Sequence, residues 1–162
     1  MSKAQNLVAL SSIFSVRYGV NMELNALRQD PNGINFVSRS ARNNGVSAKV
    51  ARVEGVGPLP AGSLTVAGGG SVLETFVQPE PFYSGRDLYY LVPLEDMSLQ
   101  EKLYYCMVIR SNRYRFNYGR QANRTLKEIQ IPARSEIPIW VTEVFANEIG
   151  CWQAKLSGMG KL

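Results

Sequence analysis

Residues 110–124 hold five arginines (Arg110, Arg113, Arg115, Arg120 and Arg124), three asparagines, Tyr114, Phe116 and Tyr118, and no acid. Arginine carries a planar, permanently charged fork that suits phosphate oxygens and guanine edges. Asn and Gln pair with adenine edges, and aromatic rings stack on bases or brace a guanidinium. A surface selected only for solubility would mix in Glu and Lys. The combination reads as a nucleic-acid contact surface, with Arg113, Arg115, Tyr118, Arg120, Gln121, Asn123 and Arg124 as its candidate contacts.

A second acid-free cluster comprises Ser38, Arg39, Ser40, Arg42, Asn43 and Asn44. Asn44-Gly45 before a β-rich run is also a strong turn signal, so a hairpin loop that happens to be basic competes with DNA contact. The later arginine run favours contact. Arg39 and Arg120 are the expected base readers, because small or polar neighbours leave each guanidinium room to approach a groove. Gly69, Gly70 and Ser71 follow Gly68 without the spacing or terminal Lys of a nucleotide-binding loop. A tight turn and a close backbone approach to a DNA strand both fit them. If residues 113–118 form a strand, its aromatic face packs on the core and its arginines reach DNA.

Several kinds of chemistry are excluded. The chain has no histidine, so serine and cysteine nucleophiles lack their usual base and zinc its commonest nitrogen ligand. Two cysteines far apart, Cys106 and Cys151, cannot build a structural zinc site and are expected as reduced, buried small hydrophobes. Glu80 with Glu101 and Lys102 only loosely imitates a nuclease metal site, since capping of a helix explains Glu101 better. Asp30-Pro31-Asn32-Gly33 lacks the second proline and the aromatic residue of an amino-methyltransferase motif. No catalytic residue, metal ligand or cofactor is therefore assigned.

The 162 residues suit one domain, and an apolar fraction of 45% argues against disorder. The net charge of +5 is compatible with DNA or RNA without requiring either. Acids gather at residues 74–96 and 136–148, which suggests a basic face opposite a more acidic one. The start carries no signal-peptide pattern and no apolar run reaches spanning length, so a cytoplasmic protein without membrane contact is expected.

These clusters need elements to hold them. Strands are expected over residues 7–16, 34–37, 46–53, 63–67, 72–77 and 87–92, with a turn at 30–33 and a loop at 55–62. Ser98 and Glu101 have capping-box spacing, which begins a helix running to about Arg110 with Leu99, Leu103, Cys106 and Met107 at helical spacing. A brief helical turn is expected at 125–129. Residues 137–141 read as a late strand or packed arm, followed by a short helix and a glycine-containing tail. Many short strands and one or two packed helices give a single α+β domain with a twisted, partly closed mixed sheet.

The ordered blocks NFVSRS (35–40), NNGV (43–46), GSLTVAGGGS (62–71), FYSGRDLYYLVP (82–93), MSLQEKLYYC (97–106), YRFNYGRQANRTL (114–126) and IP (131–132) make the chain familiar. Together they resemble the target recognition domain of restriction–modification specificity subunits, of type I systems and related fused type II enzymes. The resemblance covers residues 10–141 and leaves 142–162 as a short C-terminal tail. It implies a non-catalytic domain that reads double-stranded DNA for a DNA methyltransferase and, in some systems, a nuclease. An interaction module that mainly docks on those subunits is the alternative. Specificity subunits commonly carry two recognition domains joined by long helices. The residues after Val141 are too few for a long spacer helix at about 1.5 Å per residue, so homodimeric or half-subunit pairing stays open.

Overall fold

The computed structural model describes residues 4–116 and 125–159. Three sheets organise the described chain. The first is antiparallel, in the order β2 (Phe14–Tyr18), β8 (Leu88–Pro93), β5 (Leu64–Ala67), β6 (Thr75–Val77). The second runs β4 (Val46–Val50), β3 (Gln29–Val37), β7 (Phe82–Ser84), with β3 and β7 parallel. The third pairs β1 (Leu7–Ala9) with β9 (Gln130–Pro132). The α+β class holds, with the strands shared among three sheets rather than gathered into one.

The main core lies where helix α1 (Leu99–Ser111) meets the first sheet and the segment leading into β9. Every residue of β5 is buried, as its near-continuous apolar run Leu-Thr-Val-Ala requires. Phe14 and Tyr105 meet edge to face at 5.4 Å, and the Tyr105 hydroxyl donates to the Pro132 carbonyl at 3.0 Å. A smaller cluster of Phe36, Val50 and Tyr83 fills the second sheet. There the Tyr83 hydroxyl donates to the Val56 carbonyl and accepts from the Val53 amide, pinning the long loop after β4.

Ser98 caps α1 by accepting from the Glu101 amide at 3.2 Å. The Glu101 carboxylate does not complete the box; Arg134 takes it instead, at 2.7 Å. The helix turns a different face inward from the one its leucines suggest. Tyr104, Tyr105, Cys106 and Ile109 are buried, while Leu99, Leu103 and Met107 stay largely exposed. Two large tyrosines fill more of the core than leucines could, and a tyrosine carries its hydroxyl inward only where a partner such as the Pro132 carbonyl waits.

Five other expectations need correction. Residues 7–16 are two strands in different sheets, divided by a 3-10 turn at Leu10–Ser12. The turn at 30–33 is an excursion inside β3, where Gln29 and Ile34 both face Val50. Gly33 is needed there because a Cβ would fall 2.1 Å from the Val50 carbonyl oxygen. Residues Asn112–Phe116 form a 3-10 helix rather than a strand, so the alternation of arginine and aromatic residues does not create two faces there. Residues 137–141 hold no strand. Trp140 begins helix α2 (Trp140–Met159), which runs through Gly150 and Gly158 and replaces the expected short helix and tail. Cys151 on that helix is exposed, unlike Cys106.

Candidate nucleic-acid interface

The loop joining β3 to β4 is shaped by consecutive left-handed residues: Asn43 (φ 48°), Asn44 (φ 56°) and Gly45 (φ 77°). Asn tolerates this region better than most side chains, and Gly adopts it freely. The sequence Asn-Asn-Gly is therefore first a backbone device. The Asn43 amide donates to the Val46 carbonyl at 3.0 Å, and the Asn44 amide to the Val77 carbonyl at 2.9 Å. Gln78, only 1% exposed, returns a hydrogen bond to the Asn44 carbonyl at 2.9 Å and another to Thr65 at 3.1 Å. This buried glutamine docks the β3–β4 loop onto the end of β6. It was missed in the sequence, because an isolated Gln beside Pro79 carries no recognisable signal.

The β5–β6 connection lies beside that loop. Arg39 extends over it, and a Cβ on Gly69 would sit 3.2 Å from Arg39 Nη1 and 3.5 Å from Asp87 Oδ2. Arg39 Nη1 donates to Asp87 Oδ2 at 2.8 Å. Gly69 is thus the buried floor of an ion pair, whereas Gly70 (φ 64°) is exposed and Ser71 half-buried. On the far side of the same connection, Arg113 Nε donates to the Val72 carbonyl at 3.1 Å and its Nη2 pairs with Glu74. Arg110 lies over the Phe76 ring, 5.7 Å from its centroid.

The 38–45 loop and Arg113, the described parts of the two sequence clusters, thus both contact the segment that carries the glycine run. Ser38, Arg39, Ser40, Arg42, Asn43, Asn44, Gly69, Gly70 and Ser71 lie on these adjoining loops, and Arg113 reaches them from the 3-10 helix Asn112–Phe116. Tyr118, Arg120, Gln121, Asn123 and Arg124 lie outside the described residues, as does the side chain of Arg115. Within the loops the polar side chains divide by use. Ser38 shares a hydrogen bond with Ser47, and the Ser40 hydroxyl accepts from the Arg42 amide at 3.1 Å. Asn43 and Asn44 are spent on backbone. Arg42 is exposed, and its guanidinium has no carboxylate partner among the described residues.

Acids are not segregated from this face. Glu74 and Asp87 come from the acid-rich stretch expected on the opposite side, and they pair with Arg113 and Arg39. The face is cationic only where an arginine exceeds its carboxylate, as at Arg42. Elsewhere, a cleft of about 340 Å³ opens between Pro60, Gly62, Asp96 and Lys102, and it includes none of these residues. No three His, Cys, Asp or Glu side chains converge among the described residues. None of the helices described is long and apolar enough to cross a membrane.

No family model matches the chain. It is 27% identical over 135 residues to the specificity subunit S.BcgI of a type II restriction enzyme from Heyndrickxia coagulans, a match covering 81% of this chain and 39% of that protein. Its fold superposes on the HsdS subunit from Thermoanaerobacter tengcongensis with a TM-score of 0.64 at 15% identity, covering 95% of this chain and 40% of that one. The S subunit of a type I restriction–modification system from M. genitalium gives a TM-score of 0.60 at 16% identity over 99% and 42% of the two chains. The chain thus spans about two fifths of the length of these proteins. In sequence and in fold it is similar to one portion of a restriction–modification specificity subunit.

Proposed function

We propose that this chain is a target-recognition module that reads double-stranded DNA and lends its specificity to a restriction–modification complex. The observation that carries the reading is the contact of the 38–45 loop and of Arg113 with the 68–74 connection, with Arg42 exposed and without a carboxylate partner among the described residues. Such an end offers phosphate-seeking charge beside side chains held firmly enough to discriminate bases. The specificity-subunit likeness of the whole chain supports the same role. The module is non-catalytic and cytoplasmic in this reading, and a DNA methyltransferase, with or without a nuclease, supplies the chemistry.

A second observation supports an assembly role for α2. Phe145, Ile149, Trp152, Leu156 and Met159 recur four and three residues apart along α2. That alternation is the pattern of a coiled-coil seam, which points to pairing with a second copy or with a helix of a partner subunit. DNA reading and docking are then duties of separate elements.

Selection of duplexes from a random pool by the purified chain tests the DNA reading. Enrichment of a defined motif is the expected result. Retention of no duplex at low salt would contradict it.

A further inference from the structure

Resting on the DNA-recognition reading, we propose that Asp87 is a positioning residue: it orients the Arg39 guanidinium for a base edge and withholds it from phosphates. The geometry is over-determined. Asp87 itself sits at φ 50°, a left-handed conformation that a non-glycine residue adopts at some cost. Its amide donates to the Tyr18 hydroxyl at 2.9 Å, and its carbonyl accepts from the Gly68 amide at 2.7 Å. Its carboxylate meets Arg39 Nη1 directly above Gly69. Any side chain at residue 69 would press on that pair. Three loops are thus knitted around one arginine–carboxylate contact.

The contact is only partly covered, with side-chain exposures of 40% for Arg39 and 27% for Asp87. An exposed pair of this kind adds little stability. Its value lies in fixing a long, flexible side chain. A guanidinium meant for phosphate gains nothing from a neighbouring carboxylate, which repels the same phosphate and cancels the charge. A guanidinium meant for guanine O6 and N7 needs its plane fixed, because bidentate pairing depends on angle as well as distance. Asp87 engages Nη1 alone, and Nη2 has no partner among the described residues. Arg113 differs, since it gives Nη2 to Glu74 and Nε to the Val72 carbonyl.

Asp87→Asn is the decisive variant. Asn is nearly isosteric and tolerates positive φ, so the turn keeps its shape while the charge is lost. Asp87→Gly, which suits the same φ, serves as the second variant. Each is titrated with the selected duplex and with a scrambled one, beside the wild type, after its melting temperature is checked. The expected result is a split: binding to the scrambled duplex holds or tightens, and preference for the selected duplex falls about tenfold. A folded variant whose preference stays within about twofold of wild type would overturn the proposal. So would an equal loss on both duplexes, or failure of both variants to fold, since each marks a structural role. If wild type binds all duplexes equally or binds none, the recognition reading itself has failed.

Discussion

Arg39 and Arg134 each meet carboxylates, yet they sit at opposite kinds of site. Arg134 donates to Glu101 at 2.7 Å, to Glu95 at 3.3 Å and to the Asp96 carbonyl at 2.9 Å. The hydrogen bond it donates to Glu101 is the chief cause of its raised pKa. These bonds fasten the loop before α1, the first turn of α1 and the segment after β9 into one clamp. Among the described residues Arg39 has a single carboxylate partner, Asp87, and the pair sits above Gly69. An arginine whose donors are committed to its own chain is structural. One held by a single donor, with the rest of its fork facing outward, is prepared for a ligand. The number of donors left over separates the two, and the mere presence of an ion pair does not.

The largest effect is expected at the clamp end. Tyr105→Ala removes a fully buried ring and its hydrogen bond to Pro132, and should lower unfolding stability by about 3–5 kcal/mol. Tyr105→Phe, which only leaves the carbonyl unpaired, should cost about 1–2 kcal/mol. Denaturant titration checks both. Equal losses would mean that the hydroxyl, not the packing, dominates.

The next effect sets the two arginines directly against each other. Arg134→Met should lower stability by about 1–2 kcal/mol, discounted for its partial exposure, and leave the salt dependence of duplex binding unchanged. Arg39→Met should cost less than about 1 kcal/mol while impairing duplex discrimination. A reversed pattern would dissolve the distinction between clamp and reader.

Alkaline titration should touch the core only. Burial pushes the Cys106 thiol up to about 12. Burial also pushes the Tyr105 phenol up to about 12, with Tyr104 adding to the shift. Both folded values lie above the unfolded ones, near 9 and 10. The stability they contribute is therefore complete at neutral pH and is lost as pH rises from about 9 through about 12. Duplex binding should persist until the fold gives way. Melting temperatures across the range check this. The smallest effect is chemical: at pH 8, a thiol reagent should label Cys151 readily in the folded protein and Cys106 only after unfolding.

How much of this was legible in the sequence follows a physical line. The Ser98 cap was legible because capping is local, and the β-rich segments because their periodicity is local. The buried face of α1 was not, since Leu99 and Leu103 match helical spacing as well as Tyr105 and Ile109 do. Only the sheet beside them decides which stripe is covered. Continuity across Gly150 and Gly158 was likewise hidden, because a glycine weakens a helix without forbidding it. At the candidate site, residue types identified the arginine-rich loops but not their partners. Asp87 lies 48 positions from Arg39, and nothing local couples the two. Asn43 and Asn44, expected as DNA contacts, also shape the loop, because the side chain that suits a groove also tolerates a left-handed backbone.

The central claim is that the arginine-bearing end binds duplex DNA. Anisotropy titration of a labelled duplex at about 50 mM and about 200 mM salt measures it most directly. With roughly four phosphate contacts, affinity should fall about a hundredfold between the two conditions. Arg42→Ala should reduce the salt slope by about one unit. Absence of binding at the lower salt, or an affinity that scarcely changes between the two, would contradict the account.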